Sequence, residues 1–411
     1  MIRMTSSQTG KNLEDIQEMN RSLVIRLLQR FKSISRVEIA KQSGLNQATV
    51  TNIISDFLQW GLVRETGWIA GARGRRSIAV ELAGENYIII GVRLARKYFS
   101  VGIFDLSGKC YEKLEKKINL EDKAETVLRS IQDQILQQMK RYNERTIVGI
   151  GIALPGPFIK NEGHIALLTE TSGWQNIEII ESLQESTGLR VFLEHDANAA
   201  VLAEWCFAQN YDVKIPIMCI MAGQGIGAGI MDKGKIFTGD LGIAGEIGHM
   251  SINYDGPKCE CGNRGCLEMY CSTISIQKDI RARLQEHPES KCRKDSNISE
   301  IIEAYKSGDV LAREVVNLAA QYLGYGISSL INIINPGKII IGDELSKAGV
   351  DFLAVILETV KQRVLPKLYD NTQIILSQLD DDTALIGTCM LVIEEALQQT
   401  EVFVQKEKYG G

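Results

Sequence analysis

One histidine and three cysteines stand close together in the run GHMSINYDGPKCECGNRGCLE: His249, Cys259, Cys261 and Cys266. Three thiols and an imidazole within eighteen residues complete the tetrahedral Cys₃His shell that zinc takes in structural sites. Because four protein ligands leave no position for a water, the pattern predicts one structural zinc per chain and no catalytic one. The alternative is a set of buried free cysteines, but such thiols do not usually cluster at ligand spacing.

The composition indicates a globular protein with more than one domain. The chain has 411 residues, of which 45% are hydrophobic and 24% are charged, as is ordinary for soluble proteins. No apolar run approaches the roughly 18–20 residues of a membrane span, and the first residues lack a secretory segment. The chain has nine cysteines, which is an odd number, and three of them are assigned to metal. This cysteine usage favours a reducing, cytoplasmic location.

The charge is distributed unevenly along the chain. Residues 1–82 contain 12 Lys and Arg against 7 Asp and Glu, a balance of +5, whereas the remainder contains 34 against 44, a balance of −10. A basic N-terminal module on an acidic body indicates that the module meets a polyanion.

Residues 1–82 are predicted to form a winged helix-turn-helix domain. After a first helix over about residues 13–31, Ser35 and Glu38 have the spacing of a capping box that starts a second helix. Gly44 suits the end of that helix, and Asn46 can cap a third one. In the third helix, residues 50, 53, 54, 57 and 58 follow the spacing of a buried stripe.

The exposed arc of the third helix carries small and neutral polar side chains, as a helix in the major groove requires. Two alternating strands then enclose a glycine-rich tip with three arginines, which suits an A·T-rich minor groove. The residues predicted to contact DNA are Gln47, Ala48, Thr49, Thr51, Asn52, Arg73, Arg75 and Arg76. The predicted partner is a duplex operator, an inverted repeat with A·T-rich flanks, bound by a homodimer or larger assembly. The alternative is a solvated basic hairpin on an interaction domain.

The rest of the chain alternates between strand and helix patterns, which indicates an α/β body. Strand-like runs lie at residues 87–92, 98–104, 147–154, 191–194, 217–221 and 338–342. We expect two lobes. Residues 83–205, joined by a C-terminal helix over 384–400, form the first lobe, and residues 206–383 form the second, which carries the zinc loop.

Several motifs of the body resemble those of the ROK family, which groups bacterial repressors, open reading frames and sugar kinases. They are ALPGP, GWQNIEI, EHDANAA, GQGIGAGI, GDLGIAGEIGHM and CECGNRGCLE, in this order behind the helix-turn-helix. The resemblance extends over about residues 13–397. It implies a two-lobed, actin-like (ribonuclease H-like) ATPase fold with a ligand in the cleft. The attached winged helix resembles the repressor branch, of the xylose or N-acetylglucosamine repressor type.

The resemblance also implies a nucleotide site that is altered in this chain. Family kinases have an Asp and a Gly-Gly-Thr turn where magnesium and phosphate bind, and a Gly-Gly pair near the adenosine. The corresponding residues here are Arg93 for the Asp, Ala95, Arg96 and Lys97 for the turn, and Gly342-Asp343 for the pair. A further glycine-rich element, at residues 223–229, is kept. The chain is therefore predicted not to be an enzyme, although its cations at 93, 96 and 97 could bind another anion.

The residues that match the family's sugar ligands are better kept. Asp196 matches the catalytic base, and Glu246, Glu268 and His249 match ligands of sugar hydroxyls. Charged acceptors suit the recognition of polyols. His195 and Glu170 stand at two positions where the family usually has Asn, so we expect them to alter the choice of sugar. Because Glu246 and Glu268 bracket the zinc loop, the zinc is expected to set the geometry of the sugar-binding wall.

These observations together predict a sugar-responsive, DNA-binding transcriptional regulator, a repressor of genes for carbohydrate uptake or catabolism. Its expected effector is a monosaccharide or a sugar derivative. Two alternatives remain open from the sequence. One is a sugar kinase with a DNA-binding module, and the other is a regulator controlled by a protein partner.

Overall fold

A computed structural model of the chain describes residues 13–70, 76–119, 121–156, 158–159, 164–165, 173–174, 177–207, 215–379 and 382–398. The helices are α1 (Leu13–Phe31), α2 (Arg36–Ser43), α3 (Gln47–Gln59), α4 (Ala124–Arg141), α5 (Ile179–Thr187), α6 (Asp196–Phe207), α7 (Glu268–Cys271), α8 (Thr273–Arg283), α9 (Ile298–Lys306), α10 (Val310–Ile334), α11 (Val350–Lys361), α12 (Pro366–Asn371) and α13 (Thr383–Gln398). Within those described ranges, no helix combines the length and the apolar character needed to span a bilayer.

The strands are β1 (Ser33–Ser35), β2 (Val63–Ala70), β3 (Arg76–Leu82), β4 (Tyr87–Leu94), β5 (Tyr98–Phe104), β6 (Cys110–Lys117), β7 (Thr146–Leu154), β8 (Phe158–Ile159), β9 (His164–Ile165), β10 (Val191–His195), β11 (Ile217–Ala222), β12 (Ile226–Asp232), β13 (Lys235–Ile236), β14 (Lys338–Gly342) and β15 (Gln373–Leu376).

Helices α1–α3 begin and end at residues that the sequence marks. Ser35 caps α2 by accepting the backbone N–H of Glu38, and Gly44 ends it in the left-handed region at φ 74°. Asn46 caps α3 by accepting a backbone N–H of its first turn at 2.7 Å. The predicted capping box is only half formed, because the Glu38 carboxylate accepts from the Gln42 amide at 2.7 Å. The cap on the Ser35 side is therefore confirmed, and the reciprocal bond is not.

A small antiparallel sheet in the order β1-β3-β2 packs beside these helices. Strand β1 was not predicted, and it pairs Ile34 with Val80 of β3. Arg76 was expected in the loop between the two long strands, but it is the first residue of β3 and pairs with Ala70. The remaining predicted loop, residues 71–75, lies outside the described residues.

Two five-stranded sheets with the same connectivity form the body. Their orders are β6-β5-β4-β7-β10 and β13-β12-β11-β14-β15. In each sheet, the first three strands in sequence (β4–β6 and β11–β13) form an antiparallel meander. The two later strands run parallel to the first strand of that meander. The described body is thus an α/β duplication. The two halves place the carboxyl ends of their parallel strands, where α/β proteins bind ligands, around one cleft.

Helices α6 and α13 pack against each other between the two sheets. Helix α13 lies on β4 and β7 of the first sheet, whereas α6 lies on β11 and β12 of the second. Their axes approach closely because α13 has a glycine at the crossing. A Cβ added at Gly387 would lie only 1.8 Å from the carbonyl oxygen of Ala199 in α6. Helix α6 therefore has one face on each lobe.

The N-terminal helices share one hydrophobic core with the body. Buried Val24 and Leu28 of α1 belong to the same cluster as Val201 of α6 and Met390 of α13. The buried side chain of Gln29 donates a hydrogen bond to the Leu106 carbonyl at 2.9 Å. Helix α1 is therefore packed as part of the body's core.

Candidate functional site

The four predicted metal ligands come together in one cluster. The ligand atoms of His249, Cys259, Cys261 and Cys266 all lie within 4.8 Å of one another. The Cys261 and Cys266 sulfurs are 3.7 Å apart, and the Cys259 sulfur is 3.8 Å from His249 Nδ1. A tetrahedral zinc with bonds of about 2.3 Å to sulfur separates its ligands by about 3.8 Å. The donor set and its spacing therefore fit zinc.

The loop closes because glycine stands at a tight point. Gly265 has φ 64°, and an added Cβ would lie 1.7 Å from the Asn253 carbonyl oxygen. Short β-bridges join Ser251 to Cys266 and Lys258 to Arg264. These pairings bring the chain back towards His249, so that ligands seventeen positions apart in sequence can meet.

His249 connects the cysteine cluster to the acids of the cleft. Its Nδ1 lies 3.6 Å from Glu268 Oε1, and its Nε2 lies 3.9 Å from Glu246 Oε2. Glu246 also faces His195, with Oε1 3.8 Å from Nδ1. Burial raises the pKa of Glu246, and the two histidines act in the opposite direction. The loop thus presents two carboxylates at one wall of the cleft.

Asp196 lines the same cleft from the first lobe, at the junction of β10 and α6. Its Oδ1 accepts the backbone N–H of Ala197 at 2.7 Å. Burial raises the pKa of Asp196, and the nearby Arg93 guanidinium acts in the opposite direction. Gly156, in the loop after β7, leaves room for the opposing acid, since an added Cβ would lie 2.2 Å from Glu246 Oε1. The cleft therefore carries acceptors on both sides.

The altered nucleotide elements contact each other. Arg93 in β4 donates to Asp343 at 2.7 and 3.3 Å and to Asp382 at 2.9 Å. Its guanidinium also lies 3.9 Å from Asp196 Oδ2 and 5.8 Å from the centre of the Tyr98 ring. Burial would lower the pKa of Arg93, but Asp343 and Asp382 raise it well above its usual range. Arg93 therefore remains a cation that is already paired within the protein.

In the glycine-rich element at residues 223–229, neighbouring atoms lie close to the positions that a Cβ would take. A Cβ at Gly223 would lie 2.4 Å from Asp343 Oδ2, and one at Gly229 would lie 2.1 Å from the Ala197 carbonyl oxygen. At Gly225 the neighbour is the Arg96 guanidinium, at 3.3 Å. At Gly223 and Gly229 the protein's own atoms therefore leave no room for a Cβ.

The predicted DNA-facing residues of α3 lie on its outer face. Those that are exposed are Gln47, Ala48, Thr51 and Asn52, and Thr49 is half-buried. The Thr51 hydroxyl donates to the Gln47 carbonyl at 2.8 Å. The Asn52 amide makes no hydrogen bond to any residue that the structure describes. The same holds for the exposed Gln47 amide, so both side chains have donors and acceptors available for a base edge.

The side chains of four predicted residues cannot be placed on these surfaces. Glu170, Arg73 and Arg75 lie outside the described residues, and for Arg76 only the backbone is described. The sequence did not predict the partners of Arg96 and Arg93. Arg96 lies 3.6 Å from Glu268, and Asp382 and Tyr98 both contact Arg93. Asp382 has no motif signal because it is 289 positions from Arg93.

The ROK family profile matches residues 89–395, and the chain belongs to this family. A protein named xylose repressor from Caldicellulosiruptor bescii is 31% identical over 393 residues, covering 94% of this chain and 98% of that protein. The DNA-binding transcriptional dual regulator NagC of Escherichia coli (strain K12) is 32% identical over 385 residues, covering 93% of this chain and 94% of its own.

Solved structures show how far the similarity extends. The crystal structure of a ROK family transcriptional regulator, described as a homolog of the E. coli MLC protein, covers 95% of this chain and 99% of its own, with a TM-score of 0.77 and 28% identity. A ROK family glucokinase from Streptomyces griseus covers only 74% of this chain, with a TM-score of 0.66 and 24% identity. The glucokinase match shows the fold alone.

Proposed function

We propose that this chain is a sugar-responsive transcriptional regulator, a repressor that acts on genes of carbohydrate uptake or catabolism in the cytoplasm. The observation that carries the proposal is a contrast within one cleft. Acceptors for hydroxyl groups line the cleft, whereas two positions that the resemblance matches to nucleotide elements hold the ion pair of Arg93 and Asp343. Phosphoryl transfer depends on positioned phosphate and metal, so a body of this kind is suited to bind a sugar without phosphorylating it.

The N-terminal domain is proposed to act as a winged helix-turn-helix. Helix α3 presents Gln47, Thr51 and Asn52 outward, as a recognition helix in the major groove does. The β2–β3 hairpin is the wing, and its arginines 73, 75 and 76 are assigned to an A·T-rich minor groove. A homodimer with two such helices matches an inverted repeat.

The Cys₃His cluster is proposed to hold one structural zinc per chain. When bound, the ion supplies a rigid tetrahedral centre and no catalytic water. Its role in the site is positional, because His249 reaches both the cluster and the acids of the cleft. Glu268 follows Cys266 by two positions in sequence, so the loop that carries the ligands also carries a sugar acceptor.

The effector is proposed to be a monosaccharide or a close derivative. Asp196 on one side of the cleft, and Glu246 and Glu268 on the other, accept hydrogen bonds from its hydroxyl groups. His195, with Nδ1 3.8 Å from Glu246, and Glu170 are assigned to the choice of sugar. Because α6 begins at Asp196 and contacts both lobes, binding at Asp196 acts on the element that joins them.

The experiment that tests this function uses the full chain. A duplex selected from a random pool by the purified protein serves as the operator, and calorimetry with a panel of hexoses, pentoses, amino sugars and their phosphates is run with and without it. We expect at least one compound to bind and to change operator affinity, typically by about 5–150-fold. The function is wrong if the protein selects no duplex. If no compound binds, or if Asp196→Ala and Glu268→Ala leave binding unchanged, control by a protein partner replaces the sugar.

A further inference from the structure

The Arg93–Asp343 ion pair joins the two lobes of the body directly. Arg93 lies in β4 of the first sheet, and Asp343 follows β14 of the second. Two hydrogen bonds connect them, at 2.7 and 3.3 Å. The side chains are only 5% and 11% exposed, so solvent screens their attraction far less than it screens a surface pair. Within the cleft, this contact therefore resists separation of the lobes.

Asp343 is held in a backbone conformation that few residues adopt. Its φ and ψ are 65° and −160°, a region populated almost entirely by glycine. Family kinases have glycine at the matching position, where this backbone conformation carries no strain. The strain is present in this chain because the residue is Asp. A non-glycine residue persists there only when its surroundings hold it. Here the Arg93 guanidinium supplies that restraint, and Gly223 leaves the space for the carboxylate.

Arg93 is also anchored to the start of the helix that packs on its own sheet, at a position that the expected lobe boundary of 383 assigned to the second lobe. It donates to Asp382 at 2.9 Å, and Asp382 precedes α13, the helix that packs on the first sheet. The guanidinium therefore does not swing freely towards the second lobe. The position of the guanidinium is therefore fixed by the first lobe, and the bond to Asp343 forms only when the second lobe lies against the first.

We propose that the Arg93–Asp343 pair is an interlobe clasp that replaces the nucleotide as the connection between the lobes. In the kinases the place at β4 belongs to metal and phosphate, which a second ligand must deliver. In this chain the connection is built in, so the resting lobe angle is defined before any effector binds. The effect on DNA binding rests on the proposed function, whereas the clasp itself concerns the body alone.

The competing explanation is local. Arg93 could serve only to neutralise Asp382 inside the first lobe, with Asp343 as a passive neighbour. The two explanations differ in what Asp343 does. A clasp requires Asp343→Asn to loosen the lobes, whereas local neutralisation requires Arg93 alone and leaves the lobe angle of Asp343→Asn unchanged.

The test uses the full chain without sugar or DNA. Arg93→Met, Asp343→Asn and the double variant are compared by small-angle scattering and thermal unfolding. Arg93→Met leaves two buried carboxylates without their cation, whereas Asp343→Asn leaves Arg93 with Asp382 as its remaining close partner. We therefore expect the apparent unfolding midpoint to fall by roughly 6 °C or more in Arg93→Met and by less in Asp343→Asn. The radius of gyration should increase as the cleft opens. The double variant should lose less than the sum of the single losses, because the pair is coupled.

Two further variants separate the clasp from other effects. Asp343→Gly removes the carboxylate and also the backbone strain, so it should be more stable than Asp343→Asn and have an equally open cleft. Arg283→Met breaks an exposed ion pair with Glu314 inside the second lobe, and it should leave the radius of gyration unchanged.

An unchanged radius of gyration in both Asp343 variants, or additive losses in the double variant, overturns the clasp. A wider cleft in these variants supports it even if the protein selects no DNA. Where DNA is selected, Arg93→Met and Asp343→Asn should shift operator affinity in the same direction, and a shift in only one of them counts against the clasp.

Discussion

The guanidinium of Arg26 in α1 lies 4.8 Å from the centre of the Trp205 ring in α6. The same guanidinium pairs with Glu394 of α13 and donates to the Gly234 carbonyl, in the turn between β12 and β13, at 3.3 Å. Helix α6 begins at Asp196 in the cleft, so one helix about 18 Å long connects the candidate effector site to the N-terminal domain, which is proposed to bind DNA. Arg26 therefore contacts elements of both lobes at once.

Replacement of Arg26 by Met should reduce the coupling between effector and operator. The variant keeps a long apolar side chain on Trp205 but loses the bonds to Glu394 and Gly234. We expect the effector-induced change in operator affinity to fall towards onefold, whereas operator affinity without effector changes less. Fluorescence anisotropy with labelled duplex, with and without the sugar found by calorimetry, measures both.

Arg21 provides a matched control on the same helix. It lies 4.9 Å from the Trp60 ring and pairs with Asp56 at 2.9 Å, so both of its partners are within the N-terminal domain. Arg21→Met should keep the response to effector. An equal loss of response in the two variants would show that α1 merely needs to be stable.

Zinc should be present at one equivalent per chain and should depend on Cys261. This cysteine is exposed, so Cys261→Ser removes a ligand with little disturbance of the core. Because the binding energy of a structural zinc contributes to folding, the variant should lose metal and unfold at a lower temperature. The N-terminal domain should remain folded.

Cys292→Ser is the control for the zinc experiment, since Cys292 is buried outside the ligand cluster. It should retain the metal. Elemental analysis of both variants settles the assignment. A native protein without metal, in which all three cluster thiols react freely, would contradict it.

Asn52→Ala should relax base choice at one position of the operator. If the amide makes a bidentate contact, its loss costs about 1–3 kcal/mol of discrimination. Gln59, exposed at the far end of α3, is the control, because base contacts come from the first turns of a recognition helix. Selection of duplexes with each variant gives the comparison. Unchanged base preferences in Asn52→Ala would remove this residue from the interface.

Asp196→Asn should weaken effector binding by about 10–150-fold, the equivalent of one hydrogen bond to a charged acceptor. Burial raises the pKa of Asp196, and only the ionised carboxylate is a pure acceptor. Effector binding to the wild type should therefore weaken as the pH falls. The weakening should begin at a higher pH than it would for an aspartate with the usual pKa. Asp279→Asn, a change on α8, should have no effect on calorimetric titrations across this range. If the affinity difference between wild type and Asp196→Asn did not depend on pH, Asp196 would not act as an ionised acceptor.

Sugar phosphorylation should stay at background. By the resemblance of the motifs, Arg93 stands where family kinases have the metal-binding Asp, and a cation there would repel magnesium. A coupled ADP-release assay with hexoses, pentoses and amino sugars checks this. Turnover that Asp196→Asn abolishes would restore the kinase alternative.

Local features were readable from the sequence because their causes lie within a few residues. Ser35, Gly44 and Asn46 act on backbone groups of their own helix ends, and the cysteine ligands are close enough that loop closure is inexpensive. The acids of the cleft were identified through the family resemblance, because each of them lies within one of the motifs. Glu38 shows the limit even of local rules, because Gln42 is a competing partner that the capping pattern does not consider.

Only the tertiary structure decided what the altered motifs do. Arg93 and Asp343 are 250 positions apart, and Arg93 and Asp382 are 289 apart. In the sequence Arg93 and Asp343 were simply departures from the kinase pattern, and Asp382 gave no signal. Packing of the two sheets around α6 and α13 places the two departures in contact, where opposite buried charges compensate each other. The same packing makes α1 part of the body's core, although charge and pattern mark residues 1–82 as a separate module. Long-range pairing of this kind depends on the folded geometry of both lobes, and no local rule of spacing contains it.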